Sequence, residues 1–129
     1  EYNRVDVNFF RANINEFIPK DTYDIVFSSG VFHYLEPEKR KVFVDLLKEH
    51  TAENGLNVIN VFVEKPFIDV APDMEESEKK IKKSWHTGEL DSYYYDWFFH
   101  ERSELIFDCN SGGVPHKHCM DVVIAQKRG

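Results

Sequence analysis

The stretch from Tyr23 to Glu64 constrains the fold most. "YDIVFSSG" is apolar through Ile25, Val26 and Phe27, then stops at Ser28-Ser29-Gly30. A short continuous apolar run of this kind reads as a parallel strand covered on both faces. Pro37 suits the first turn of a helix. Behind it Val42, Phe43, Leu46 and Leu47 form one apolar stripe, with Lys39, Arg40, Lys41, Asp45, Lys48 and Glu49 on the other side. Asn54-Gly55 reads as the helix stop, and Leu56 to Glu64 as the next strand. With an alternating strand at Val5–Phe10, the order becomes strand, loop, strand, helix, strand. That order predicts an α/β layered sheet.

The remainder is organised differently. Residues 65–86 are polar and charged, with a helix predicted over Asp73–Ser84. "TGELDSYYYDW" reads as a short helix capped by Thr87. "WFFHERSELIFDC" and "PHKHCMDVVIAQK" flank Asn110–Gly113 and read as an antiparallel hairpin.

Composition narrows the function classes. With 129 residues, the chain is one domain or part of one. Sixteen Lys and Arg against 23 Asp and Glu leave a net charge of −7, which argues against nucleic-acid binding through phosphates. The dense basic run "EKKIKK" follows "MEESE" and reads as a solvated helix face. No apolar run approaches the ~20 residues of a membrane-spanning helix. Two cysteines are too few for a disulfide framework, so a reducing, cytoplasmic setting is expected.

In open α/β sheets, ligands sit beyond the carboxyl ends of parallel strands. Ser28, Ser29 and Gly30 lie at such an end. Gly30 lets backbone approach a ligand closely, and His33 projects from the following turn. The same residues also serve simply to turn the chain.

From Phe10 to Phe62 the sequence resembles the second half of a class I S-adenosylmethionine-dependent methyltransferase. The "YD-h-h-h-S-S-x-x-h-H" strand and loop (h, hydrophobic; x, any residue), the helix and the Gly-ended loop into the next strand carry the likeness. "GELDSYYYDWFFHERSEL" and the hairpin to "VVIAQK" resemble one branch, the tellurite-resistance methyltransferases. The fold implied is a partial Rossmann-like sheet, mixed because of its C-terminal antiparallel hairpin, lacking the N-terminal Gly-rich βαβ half. Residues 1–129 would form the C-terminal part of a single methyltransferase domain.

The resemblance implies S-adenosyl-L-methionine as cofactor and a small-molecule methyl acceptor. Asn13 falls where the family has an Asp that bonds the adenine amino group, and Ile14 where a backbone N–H meets the adenine ring. Ser28, Ser29 and Gly30 fall along the methionine part. His33 lies on the substrate side as candidate general base; its structural alternative is cover for the helix start. The chain departs from the pattern in having no GxGxG loop and no ribose-binding acidic residue. It also reads "IFDCN" where the branch carries an Arg. The parent is therefore expected to transfer methyl groups and the fragment to be inactive. The alternative is a non-catalytic binding module that completes its sheet with a partner chain.

Two further groupings stand out. His116 and His118 alternate on a strand and share a face, whereas Cys119 points the other way. That alternation, with no second Cys pair at zinc spacing, argues against a three-ligand site with Cys109, so no metal is expected. In "SYYYDWFF" most rings read as core, with one or two of Tyr93, Tyr94 and Trp97 facing a substrate pocket. In the family's strand order, two strands absent from this chain separate Val5–Phe10 from Asp24–Ser28. A homodimer through exposed strand edges is the expectation.

Overall fold

A computed structural model describes residues 6–65, 84–110, 113 and 115–129. Its elements are β1 (Tyr23–Ser29), two 3-10 turns (Phe32–Tyr34 and Pro37–Lys39), α1 (Arg40–Glu49), β2 (Thr51–Phe62), α2 (Glu89–Tyr93), β3 (Phe98–Cys109) and β4 (His116–Gln126). They build a four-stranded mixed sheet in the order β1-β2-β4-β3. β1 runs parallel to β2, and β2–β4 and β4–β3 are antiparallel. The expected βαβ unit and hairpin are both present.

The helices lie on one side of the sheet. Ile59 and Val61 of β2, Val123 and Ala125 of β4, and Phe43, Val44 and Leu47 of α1 are buried in one core with Trp85, Leu90, Tyr94 and Trp97. The opposite face carries Phe27 and Ile25, which are 71% and 62% exposed. The expectation that β1 is covered on both faces is therefore corrected. β1 is an edge strand, and only its alternate residues, such as Val26, pack against the core.

The register of α1 also differs from the sequence reading. Its buried residues are Arg40, Phe43, Val44 and Leu47, a stripe at i, i+3, i+4, i+7, while Val42 is exposed. The charge on Arg40 hides this stripe from a hydrophobicity reading. The guanidinium is 4.5 Å from the Trp85 ring centre, and Nη1 donates to Glu89 Oε1 at 2.9 Å. An ion pair and a ring face together make a buried Arg tolerable.

Four other expectations change. Asp6–Phe10, the described part of the Val5–Phe10 strand, form no strand, and Phe9 and Phe10 are exposed. Alternation suits a strand only where an edge is in reach. Asn54-Gly55 is not the helix stop: α1 ends at His50, and Thr51 Oγ1 donates to the Leu47 carbonyl at 2.7 Å. Asn54-Gly55 instead lies in a bulge of β2, where the register jumps from Tyr23↔Thr51 to Ile25↔Leu56. A Cβ on Gly55 would stand 2.8 Å from the carbonyl oxygens of Asp24 and Ala52, so only glycine fits there. Thr87 does not cap α2. Gly88 does, at φ 79, with its N–H donating to the buried Asp121 Oδ2 at 2.8 Å. The helix expected at Asp73–Ser84 lies, but for Ser84, outside the described residues. Among the described residues no helix is long and apolar enough to cross a membrane.

Candidate functional site

The carboxyl ends of β1 and β2 lie side by side, with Ser29 paired to Asn60. Asn60 ties this end together: its Oδ1 accepts the Gly30 N–H at 2.9 Å, and its Nδ2 donates to Ser29 Oγ at 3.0 Å. These bonds hold the chain in the sharp left-handed turn at Gly30, φ 65. Beyond that turn there is room. A Cβ built on Gly30 meets only Phe62 Cε2, at 3.9 Å. Ser28 points to the opposite face, where its Oγ is buried with no hydrogen-bond partner among the described residues. A buried hydroxyl without a partner is costly unless a ligand or water satisfies it.

His33 sits in the first 3-10 turn and is buried. Its ring packs between Tyr34, 4.4 Å away, and Phe62, 5.4 Å away, measured between ring centres. Backbone anchors fix the turn, since Trp85 Nε1 donates to the Phe32 carbonyl at 3.1 Å.

The Asn13-Ile14 segment is brought to the same turn by Asn15. Its Nδ2 donates to the Tyr34 carbonyl at 3.0 Å, and its Oδ1 accepts the Glu36 N–H at 2.9 Å. Asn13 Oδ1 accepts the Asn15 N–H at 3.0 Å, a local Asx turn that leaves one lone pair on that oxygen. Ile14 is half-buried against the core. Thus Asn13, Ile14, Ser28, Ser29, Gly30 and His33 belong to one end of the sheet. Asn15 and Asn60, which hold them there, escaped the sequence reading. Their signal was weak: Asn60 stands between Ile59 and Val61, and Asn15 is one of two Asn in a polar loop.

Of Tyr93, Tyr94 and Trp97, one or two of which were expected to face a pocket, two are buried and Tyr93 is half-buried. Tyr94 and Trp97 are core residues under α1, and the Tyr94 hydroxyl donates to the buried Asn57 Oδ1 at 2.6 Å. Burial pushes the Tyr94 hydroxyl far above its ordinary pKa. Tyr93 is half-buried and donates to Glu89 Oε2 at 2.9 Å. Its pKa is pushed up to about 12, by burial first and then by the Glu89 carboxylate. The rings are anchored by partners that a sequence does not display.

The hairpin corrects the reading of "HKHC". Cys119 does point away, buried in the core. Cys109, however, pairs directly with His116 across the hairpin and so shares the face of His116 and His118. One ligating atom from each of Cys109, His116 and His118 lies within 4.8 Å of the other two.

The fold and sequence have known counterparts. The family model of the tellurite resistance protein TehB matches residues 2–111. The crystal structure of TehB from Haemophilus influenzae is similar at a TM-score of 0.75 and 24% identity, covering 91% of this chain and 40% of that one. A 1,6-didemethyltoxoflavin-N1-methyltransferase from Burkholderia thailandensis, solved with S-adenosylhomocysteine, aligns at a TM-score of 0.59 and 12% identity, over 92% of this chain and 49% of that one. A SAM-dependent methyltransferase from Methanosarcina mazei aligns at a TM-score of 0.59 and 11% identity, over 91% and 65%. The chain thus spans less than two thirds of the length of each of these structures. No curated protein matches it.

Proposed function

The chain belongs to the family of the tellurite resistance protein TehB, a branch of the class I S-adenosylmethionine-dependent methyltransferases, and from that premise we propose that it forms the cofactor- and acceptor-facing end of a site that methylates a small molecule. The observation that carries this reading is the end of β1. An open left-handed Gly30 follows Ser28 by two residues, and among the described residues the buried Ser28 Oγ has no hydrogen-bond partner. This is space and an unmet hydrogen bond at the place where α/β sheets take ligands.

S-adenosylmethionine, when bound, supplies an electrophilic methyl group on a sulfonium. The chain's own residues then bind and align. Ser28, Ser29 and Gly30 take the methionine part. Asn13 offers the remaining lone pair of its Oδ1 to the adenine amino group, and Ile14 its backbone N–H to the ring. His33 accepts the proton of a hydroxyl or amine acceptor; a soft nucleophile needs no base. The aromatic walls of Tyr34 and Phe62 hold the imidazole in one orientation. No GxGxG loop occurs in these 129 residues, so binding by the chain alone is weak.

Calorimetric titration of the full-length parent protein with S-adenosylhomocysteine tests the assignment. Gly30→Val should weaken binding at least ~10-fold, since a β-branched residue at positive φ fills the space. His33→Ala should leave binding within about 2-fold while lowering turnover of a hydroxyl or amine acceptor by ~100-fold. Normal binding by a folded Gly30→Val protein would remove this strand end from the site.

The exposed Ile25 and Phe27 favour a second reading, a module that completes its sheet with a partner chain. Light scattering decides it for a second copy of the chain. Phe27→Lys should then convert dimer to monomer, and a monomeric wild-type chain would refute self-pairing.

A further inference from the structure

We propose that the β3–β4 hairpin binds a transition-metal dication of the zinc type through Cys109 Sγ, His116 Nε2 and His118 Nε2, with ligands distinct from the methyl-transfer residues. Three features of the hairpin carry this. The first is register: Cys109 pairs with His116, and His118 follows two residues on, so one face presents a sulfur and two imidazoles. The second is convergence. The two Nε2 atoms already lie 3.1 Å apart, and one ligating atom from each of the three residues lies within 4.8 Å of the other two. Tetrahedral zinc with ordinary bond lengths needs about 3.4 Å between two nitrogens and about 3.6 Å between nitrogen and sulfur. Adjustments of about 1 Å, within side-chain rotation, therefore close the site. The third is packing. The His118 ring lies 5.2 Å from Phe62 and 5.7 Å from Phe107, so two aromatic rings limit its motion.

The donor set selects the ion. One thiolate with two imidazoles suits a borderline ion such as Zn²⁺ over Mg²⁺ or Ca²⁺, which prefer oxygen. In the metal-free hairpin one Nε2–H donates to the other Nε2. On metal binding that ring moves its proton to Nδ1, and both Nε2 lone pairs turn to the ion. The thiol releases one proton to solvent, so each ion bound frees about one proton at neutral pH. The described residues supply three ligands, leaving a fourth position for water or an exchangeable donor.

Untagged, reduced protein titrated with Co²⁺ as a spectroscopic stand-in should show a thiolate-to-metal charge-transfer band at one equivalent. Zn²⁺ should displace it. Cys109→Ser should abolish the band, and Cys109→Ser and His118→Ala should each weaken Zn²⁺ by ~10-fold or more, measured against a chromogenic chelator. Cys119→Ser, in the buried core, should leave the band intact. Absence of the band, its survival in Cys109→Ser, or unchanged affinity in His118→Ala overturns the proposal. Should a variant fail to fold, alkylation of the wild-type protein decides. Zn²⁺ must slow iodoacetamide labelling of Cys109, and an unchanged rate refutes the site.

Discussion

The two faces of the sheet are built from the same strands and have opposite fates. On β2, Ile59 and Val61 are 1% and 0% exposed under α1 and α2, while the alternating Val58 and Asn60 are only half-buried. On β1 the uncovered face shows Phe27 and Ile25 to solvent. Both faces are apolar in sequence, so hydrophobicity alone does not tell which one will be packed. Position of the helices does. The packed face holds the buried core of the domain, and the open face carries Phe27, Ile25 and the Cys109-His116-His118 group.

Neighbouring residues on one strand test this contrast with the largest effect. Ile59→Ala should lower unfolding free energy by about 4 kcal/mol, through lost burial and a residual cavity, whereas Val58→Ala should cost under about 1 kcal/mol. Urea unfolding of both variants is the check, and equal losses would break the comparison. The next effect belongs to the charge buried on the packed face. Arg40→Ala removes the cation paired with Glu89 and uncovers the Trp85 ring, and should cost about 3 kcal/mol. Arg40→Met, which keeps the volume over the ring, should not restore stability until Glu89 is also neutralised. A double-mutant cycle with Glu89→Gln measures that coupling.

The smallest effect lies at the rim of the packed face. The Lys48 ammonium donates to Asp96 at 2.6 Å and holds that carboxyl below its ordinary pKa. A depressed folded-state pKa means the contribution is present above the ordinary carboxylate range and is lost as pH falls through the folded value. Asp96→Asn should therefore lower the neutral plateau slightly and leave the acid limit unchanged, so that the acid side of the stability profile flattens, in thermal melts from pH 7 to pH 3. Because Asp96 is half exposed, salt should shrink the difference further.

Local signals were enough for the βαβ unit and the hairpin. An apolar run, a helical stripe and a Gly-rich turn each act within a few residues. The small, polar end of β1 was legible for the same reason, and so was the kinship with methyltransferases. What needed the third dimension was every choice between equivalent patterns. The i, i+3, i+4, i+7 stripe of α1 could be recognised only once Trp85 and Glu89 were seen to accommodate Arg40. Asp6–Phe10 alternate like a strand, yet form none. Cys109 joins His116 and His118 because cross-strand register, set by the whole hairpin, decides which of two cysteines shares their face. Periodicity is a property of neighbours along the chain, and burial, pairing and ligand geometry are properties of neighbours across it. The sequence by itself determined the βαβ unit and the hairpin, in that order; only the packed sheet decided which face closed and which residues met.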